Sequence, residues 1–163
     1  MPLSSDEMEE EFRAALAKLA SGVVVIATRD GEAYRGMTAT SFTIASWEPP
    51  LVLVGLDRLS STLSVVLQVK SFSVSLLARE QEFLAERFAD QAPAVDSQWR
   101  DIPHQLTLGG LPVVGGSLAW LECELVERHR VGDHDLLVAA VRRSGARTGD
   151  PLLRWERRYW SLA

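Results

Sequence analysis

Ser71-Phe72-Ser73-Val74-Ser75-Leu76 alternates large apolar and small polar residues without a break, the period of two that marks a strand with a buried face. Downstream, Leu121, Cys123 and Leu125 alternate with Glu122 and Glu124, and Val131-Gly132-Asp133 turns that strand into another, His134 to Arg142. Upstream, Pro49-Pro50 forbids helix before a strand from Leu51 to Leu56. Val23-Val24-Val25-Ile26 is a buried strand, and Asp30-Gly31 signals a hairpin into a further strand near Tyr34 to Phe42. A last short segment, Leu152 to Leu162, closes the chain.

Helices are fewer. Ser4-Ser5-Asp6 with Glu9-Glu10-Glu11 reads as a helix start, its acids facing the positive end of the helix dipole. Phe12, Leu16 and Leu19 give it one apolar stripe, and Gly22 ends it. Ser60-Ser61-Thr62 caps a short helix ending near Lys70, and a third helix runs from about Arg79 to Ala89, with Phe83, Leu84, Arg87 and Phe88 along one side. Asp90 to Gly116 holds Pro93, Pro103, Pro112 and two Gly pairs and reads as irregular; loops that long are usually functional or partner contacts. About seven strands and three helices, with strands following one another hairpin fashion, predict one mainly β domain over residues 1–163 with flanking helices, its antiparallel sheet curled into a small barrel.

The 163 residues are 47% hydrophobic and 24% charged, the balance of a soluble globular protein, and no apolar run approaches a membrane span. The acidic start, Met1 to Glu11, argues against a signal peptide, and one cysteine, Cys123, excludes an internal disulfide and makes a structural zinc site an unattractive reading. A cytoplasmic protein is the simplest expectation. A net charge of −5 spread along the chain does not suit nucleic acid. No Gly-rich phosphate loop, HExxH or G-x-S-x-G elbow is present, and His104, His129 and His134 are not spaced as a metal site, so no metal is expected. Any demanding chemistry then falls to an organic cofactor.

Five segments have the chemistry to hold one. Gly36-Met37-Thr38-Ala39-Thr40-Ser41-Phe42, with Ser46, combines hydroxyls, small residues and a soft apolar wall, the mixture an isoalloxazine ring needs; its plainer reading is a solvated strand face. Asp57-Arg58-Leu59-Ser60-Ser61-Thr62 offers hydroxyls and amides at a helix start for a phosphate, or an ordinary cap. Arg87 and Phe88 fit a phosphate and a ring wall, or a surface charge and a core residue. His134 in Gly132-Asp133-His134 is placed to reach over a cleft or simply to close a hairpin. Asp150-Pro151-Leu152-Leu153 with Tyr159 and Trp160 reads as a pocket roof, a subunit contact or packing.

In this order and spacing the segments resemble the flavin reductase-like family, which includes the short-chain NAD(P)H:flavin oxidoreductases of two-component monooxygenases. The resemblance runs from about Phe12 to Leu162. It rests on Ser21-Gly22, G-M-T-A-T-S-F at 36–42, S-W-E-P-P at 46–50, S-S-T at 60–62, E-R-F-A at 86–89, L-P at 111–112, G-S-L-A at 116–119, Glu122-Cys123, G-D-H at 132–134 and P-L-L at 151–153. It implies a split β-barrel of the FMN-binding type, antiparallel and Greek-key-like, that forms a homodimer and holds FMN or FAD near the subunit interface with NADH or NADPH as reductant.

By the same resemblance, Gly36, Met37, Thr38, Ala39, Thr40, Ser41 and Ser46 would line the ring and ribityl chain. Gly55, Leu56, Asp57, Ser61, Thr62, Arg87 and Phe88 would surround the ribityl phosphate. His134 would position the nicotinamide, and Asp150, Pro151, Leu152, Leu153 and Tyr159 would complete the nucleotide side. Ala139 and Arg157 stand where the family often has Gly, and Arg157 changes the charge at the expected cleft mouth. A partner monooxygenase would take the reduced flavin. A flavin-retaining electron carrier on the same barrel, or a barrel without cofactor, stays open.

Overall fold

In a computed structural model, residues 4–89 and 98–162 are described. In chain order these residues form α1 (Ser5–Leu16), β1 (Ser21–Gly22), β2 (Val24–Asp30), β3 (Ala33–Ala39), β4 (Phe42–Ser46), β5 (Leu51–Asp57), α2 (Ser61–Val69) and β6 (Ser71–Leu76). A 3-10 turn at Arg79–Gln81 leads into α3 (Glu82–Ala89). There follow β7 (His104–Leu106), β8 (Pro112–Val114), β9 (Ala119–Val131), β10 (His134–Ala146), β11 (Leu152–Trp155) and β12 (Arg158–Ser161). The protein is mainly β with a few helices, and every strand ladder is antiparallel.

Seven strands form the main sheet in the order β3-β2-β6-β9-β10-β5-β4. Its edges, β3 and β4, are consecutive in sequence, and among the described residues no ladder joins them. The β2–β3 turn, Gly31-Glu32, closes on the pair Asp30–Ala33, with Gly31 at φ +61, a conformation that favours glycine. One face carries a core of Val24, Ile26, Val54, Leu56, Phe72, Val74 and Leu137, over which α2 packs through Leu63 and Val66. A second core, with Val23, Val25, Ala27, Leu84, Phe88, Trp99 and Leu152, fills the other side. The unbroken apolar run at 23–27 therefore serves two cores at once, as expected of a strand covered on both faces.

Several sequence-based expectations change here. The first helix ends at Leu16, not at Gly22, which lies in β1 opposite Leu153. Its stripe is not a core contact: Phe12, Leu16 and Leu19 are 61%, 53% and 67% exposed. The strand expected from 34 to 42 breaks at Thr40-Ser41 and gives β3 and β4. Phe83 is exposed while Leu84 and Phe88 on the same helix are buried. Pro103, Pro112 and the Gly pairs do not keep 104–114 irregular, because β7 and β8 pair around them; residues 90–97, with Pro93, lie outside the described residues.

The serine face of β6 is buried too. Ser73 and Ser75 are fully buried because β8 lies across them: the Ser73 hydroxyl donates to the Pro112 carbonyl, and Ser75 Oγ accepts from the Val114 amide at 3.0 Å. Serine here is not a solvated face but a hydrogen-bonded seat for a second layer.

Glu122 on β9 pins the turn next to that layer. Its carboxylate accepts from the Gly109 amide at 3.1 Å and from Arg143 Nη1 at 2.6 Å. Burial pushes its pKa up, but hydrogen bonds from Thr107 and Gly109 and the Arg143 charge outweigh that and hold it below the ordinary 4.5. A carboxyl depressed in the folded state stabilises it above the unfolded pKa and loses that contribution as pH falls through the folded value. Glu122→Gln is expected to cost about 1–2 kcal/mol at pH 7. Urea midpoints measured between pH 7 and pH 3 should show the gap to the wild type closing as pH falls below 4.5.

Candidate functional site

Three connections gather the hydroxyl-rich segment at the end of β3. The Ser60 hydroxyl, whose Oγ also accepts the Leu63 amide as the N-cap of α2, donates to Met37 Sδ at 3.1 Å. The Ser41 hydroxyl donates to the Gly55 carbonyl at 2.7 Å, and the Gly55 amide donates to the Ser41 carbonyl at 3.2 Å. The Thr38 hydroxyl donates to the Ala85 carbonyl of α3 at 2.7 Å. Gly36 to Ser41, Gly55 to Asp57, the start of α2 and the last turn of α3 thus form one neighbourhood.

The individual side chains divide sharply. Thr40 and Ser41 are exposed, and Ser46 is half-buried on edge strand β4. Met37, Thr38 and Asp57 are half-buried, and Asp57 Oδ1 accepts the Leu59 amide at 2.8 Å. Ser61 is exposed at the first turn of α2. Ala39, Leu56, Thr62 and Phe88 are buried, so their side chains belong to packing. Gly36 is backed by aromatic rings: a Cβ there would lie 3.0 Å from Phe88 and 3.2 Å from Trp99. Its amide and carbonyl are both paired with the Gln98 side chain, which acts as a short substitute strand on the β3 edge. Arg87 Nη2 donates to the Arg100 carbonyl at 2.8 Å and ties α3 to the same segment.

The β5–β10 register sets His134 opposite Asp57 and Leu136 opposite Gly55. Gly55 leaves room at this crossing, where a Cβ would stand 3.3 Å from Leu136 and 3.4 Å from Ser41 Oγ. His134 is half-exposed, and its Nδ1 lies 2.8 Å from Asp133 Oδ1. That hydrogen bond, first among the causes, holds the Asp133 carboxyl below its ordinary 3.8. A tautomer that carries its proton on Nδ1 toward this carboxylate would leave Nε2 as an acceptor.

The C-terminal candidates sit elsewhere. Asp150 Oδ2 pairs with Arg79 at 3.1 Å, Pro151 bridges to Ala78, Leu152 is buried in the second core and Leu153 pairs with Gly22 and Trp160. Tyr159 packs on that core beneath the Arg154 guanidinium, 4.7 Å from its ring centre. Among the described residues no hydrogen bond, ion pair or ring contact joins this group to His134. The β11–β12 hairpin does meet the hydroxyl-rich segment by another route. A groove of ≈ 440 Å³ is lined by Thr40 and Ser41 on one side, by Phe12, Arg13 and Leu16 of α1 on another, and by Arg154, Trp155 and Arg157. Glu156 and Arg157 form the hairpin turn with φ +48 and +62, left-handed conformations unusual for residues other than glycine.

Phe12, Arg13, Leu16, Arg154 and Trp155 are among the groove residues that the sequence does not assign to a site; the apolar stripe of α1 is visible in it, but not what the stripe faces. Gln98 and Trp99 left no signal in the sequence. Cys123 is no nucleophile, since burial, and then the charge of Glu122, pushes its thiol up to about 12. Among the described residues no three metal-binding side chains cluster, and no helix is long and apolar enough to cross a membrane.

A family model described as a flavin reductase like domain matches residues 16–163. The FMN reductase (NADH) SmoA of Agrobacterium fabrum is 35% identical over 146 residues, covering 90% of this chain and 82% of that protein. The reductase component of 4-hydroxyphenylacetate 3-monooxygenase from Thermus thermophilus is 38% identical over 156 residues, covering 95% and 97%. The solved structure of the NADH:FAD oxidoreductase SgcE6 of Streptomyces globisporus C-1027, in complex with NAD and FAD fragments, superposes with a TM-score of 0.90 at 29% identity and covers 100% of this chain and 98% of that one.

The glycine at 36 is held small by Phe88 and Trp99, both core residues with little room to yield. Gly36→Ala is expected to cost about 1–3 kcal/mol, and Gly55→Ala less, because its nearest neighbours are the ends of side chains. Differential scanning calorimetry should rank the two melting temperatures in that order.

Proposed function

The chain belongs to the flavin reductase-like domain family, and from that premise we propose that it oxidises NADH, or NADPH, to reduce FMN or FAD and releases the reduced flavin to a partner monooxygenase. The observation that carries the site assignment is the pairing of His134 with Asp57 across β10 and β5, two residues from the Ser41–Gly55 contact. It puts a half-exposed imidazole beside the segment whose hydroxyls suit the polar edge of a flavin.

The residues present fit such a ring. Thr40 offers an exposed hydroxyl, Ser41 Oγ keeps acceptor capacity beyond its bond to Gly55, and Phe12 and Leu16 offer apolar wall in the groove they share. Gly36 to Ser41 and Ser46 would follow the ring and ribityl chain, mostly by backbone where the side chains are already bonded or buried. Gly55 to Asp57, Ser61 and the amide of Thr62 would meet the phosphate end, with Arg87 and Phe88 supporting the far wall. Asp150 to Leu153 and Tyr159 would hold the nucleotide side; since they do not touch His134 within one chain, a second copy supplying one of the two groups is the arrangement we favour. The exposed apolar residues of the same region, among them Phe12, Leu16, Ile44 and Trp47, suit a homodimer contact. In this reading the seven-stranded sheet is the body of a split, Greek-key-like barrel forming a single domain, and the setting is cytoplasmic.

Bound flavin supplies the acceptor, N5, for a hydride from C4 of the nicotinamide. The protein's contribution is alignment, which can remove roughly 7–11 kcal/mol of a bimolecular barrier. Asp133 fixes the His134 tautomer, and the Nε2 acceptor of His134 orients the carboxamide of the nicotinamide. No side chain needs to move a proton for hydride transfer, and His134 has a positioning role.

Stopped-flow absorbance should show flavin bleaching by NADH, with steady-state NADH oxidation that depends on added FMN or FAD. His134→Ala should raise KM for NADH about tenfold with flavin affinity unchanged within about twofold. NADH consumption that ignores added flavin would refute the activity, and an unaltered His134→Ala enzyme would remove His134 from it.

A further inference from the structure

β10 alternates: Asp135, Leu137 and Ala139 are buried, while Leu136, Val138 and Ala140 are only partly so. On β5 the residues opposite the buried set are Leu56, Val54 and Val52, all core. Asp135 thus holds a position that the pattern gives to an apolar side chain, and it is fully buried there. Its Oδ2 accepts from Nε of Arg128 at 2.6 Å, and Arg128 Nη2 completes the ion pair at 2.6 Å. Its Oδ1 is buried without a hydrogen bond among the described residues, and Arg58 Nε stands 3.9 Å away.

Both arginines line one cleft together with Asp133. Arg128 is on β9. Arg58 follows β5 directly; its amide donates to the Asp133 carbonyl at 3.0 Å and its Nη1 to the Gly132 carbonyl at 3.3 Å. The Gly132–His134 turn is therefore clamped to the Asp57–Ser60 turn that opens α2, and the buried carboxylate of Asp135 stands behind Arg58 in that clamp. A buried ion pair contributes little net stability compared with apolar residues of similar volume, so packing does not account for an acid at this position. Orientation does.

We infer that Asp135 is a positioning residue: through Arg128 and Arg58 it fixes the turn bearing His134 against the flavin-binding start of α2. This rests on the reading above, in which His134 meets the nicotinamide.

The test uses the full-length chain with FMN and NADH and compares Asp135→Asn, the paired apolar replacement Asp135→Leu with Arg128→Met, His134→Ala, and His134→Ala combined with Asp135→Asn. The paired replacement should keep its melting temperature and flavin Kd while kcat/KM for NADH falls several-fold, to no more than about the tenfold expected of His134→Ala. Asp135→Asn, which keeps the shape and one acceptor, should lose less. Added to His134→Ala it should lose little more, because both changes remove the same alignment. Wild-type kinetics in the paired replacement, equal loss of flavin binding, or full additivity with His134→Ala would each overturn the role. If His134→Ala alone is silent, it is the assignment of His134 that fails; any effect of Asp135→Asn on KM for NADH would then have to arise otherwise, and this inference falls with it.

Discussion

The antiparallel ladder of β10 against β5 is the constraint on which the rest depends. A strand register cannot slip by one residue without exchanging its two faces. With Leu137 and Ala139 committed to the core opposite Val54 and Val52, the partners of Leu136 and His134 are settled as Gly55 and Asp57. Burial of aliphatic side chains in the middle of the strand thereby fixes where an imidazole stands at its end. The bonds of Arg58 to the carbonyls of Gly132 and Asp133 then hold the turn in that place.

Both faces of the sheet are covered, and this shapes the polar chemistry as much as the apolar. β2 feeds two cores, and β6 meets β8 through the hydroxyls of Ser73 and Ser75. Buried hydroxyls are tolerable because each has a backbone partner. The same economy operates near the site, where Thr38, Ser41 and Ser60 are engaged with Ala85, Gly55 and Met37. Much of what a ligand would find there is backbone, the exposed hydroxyl of Thr40 and the remaining acceptor capacity of Ser41 Oγ.

Charge is concentrated at the rim. Arg13, Arg154 and Arg157 line the groove beside Thr40 and Ser41, and Arg58, Arg128 and Arg130 line a second cleft next to Asp133. Arginine forks suit phosphates and carboxylates alike. In the second cleft the guanidinium of Arg128 is paired with Asp135 and that of Arg58 is bonded to the Gly132 carbonyl, whereas the first is bounded by a hairpin turn that places Arg157 in a left-handed conformation. The family resemblance and the strained turn point to the same residue from different directions.

The sequence by itself determined the strand-rich class, the β2–β3 hairpin at Gly31, the caps of the first two helices, and the G-M-T-A-T-S-F and G-D-H segments that carry the resemblance. These are local matters: period, turn chemistry and capping act over a few residues. Only the tertiary structure decided that the serines of β6 face protein and not water, that the first helix keeps its apolar stripe outside, and that Gly36 is small for the sake of Phe88 and Trp99. It also brought Arg154 and Trp155 to the groove and buried an acid at Asp135. Each of those depends on what a distant segment lays across a given face, and a side chain's neighbours across a sheet leave no periodic trace in its own stretch of chain.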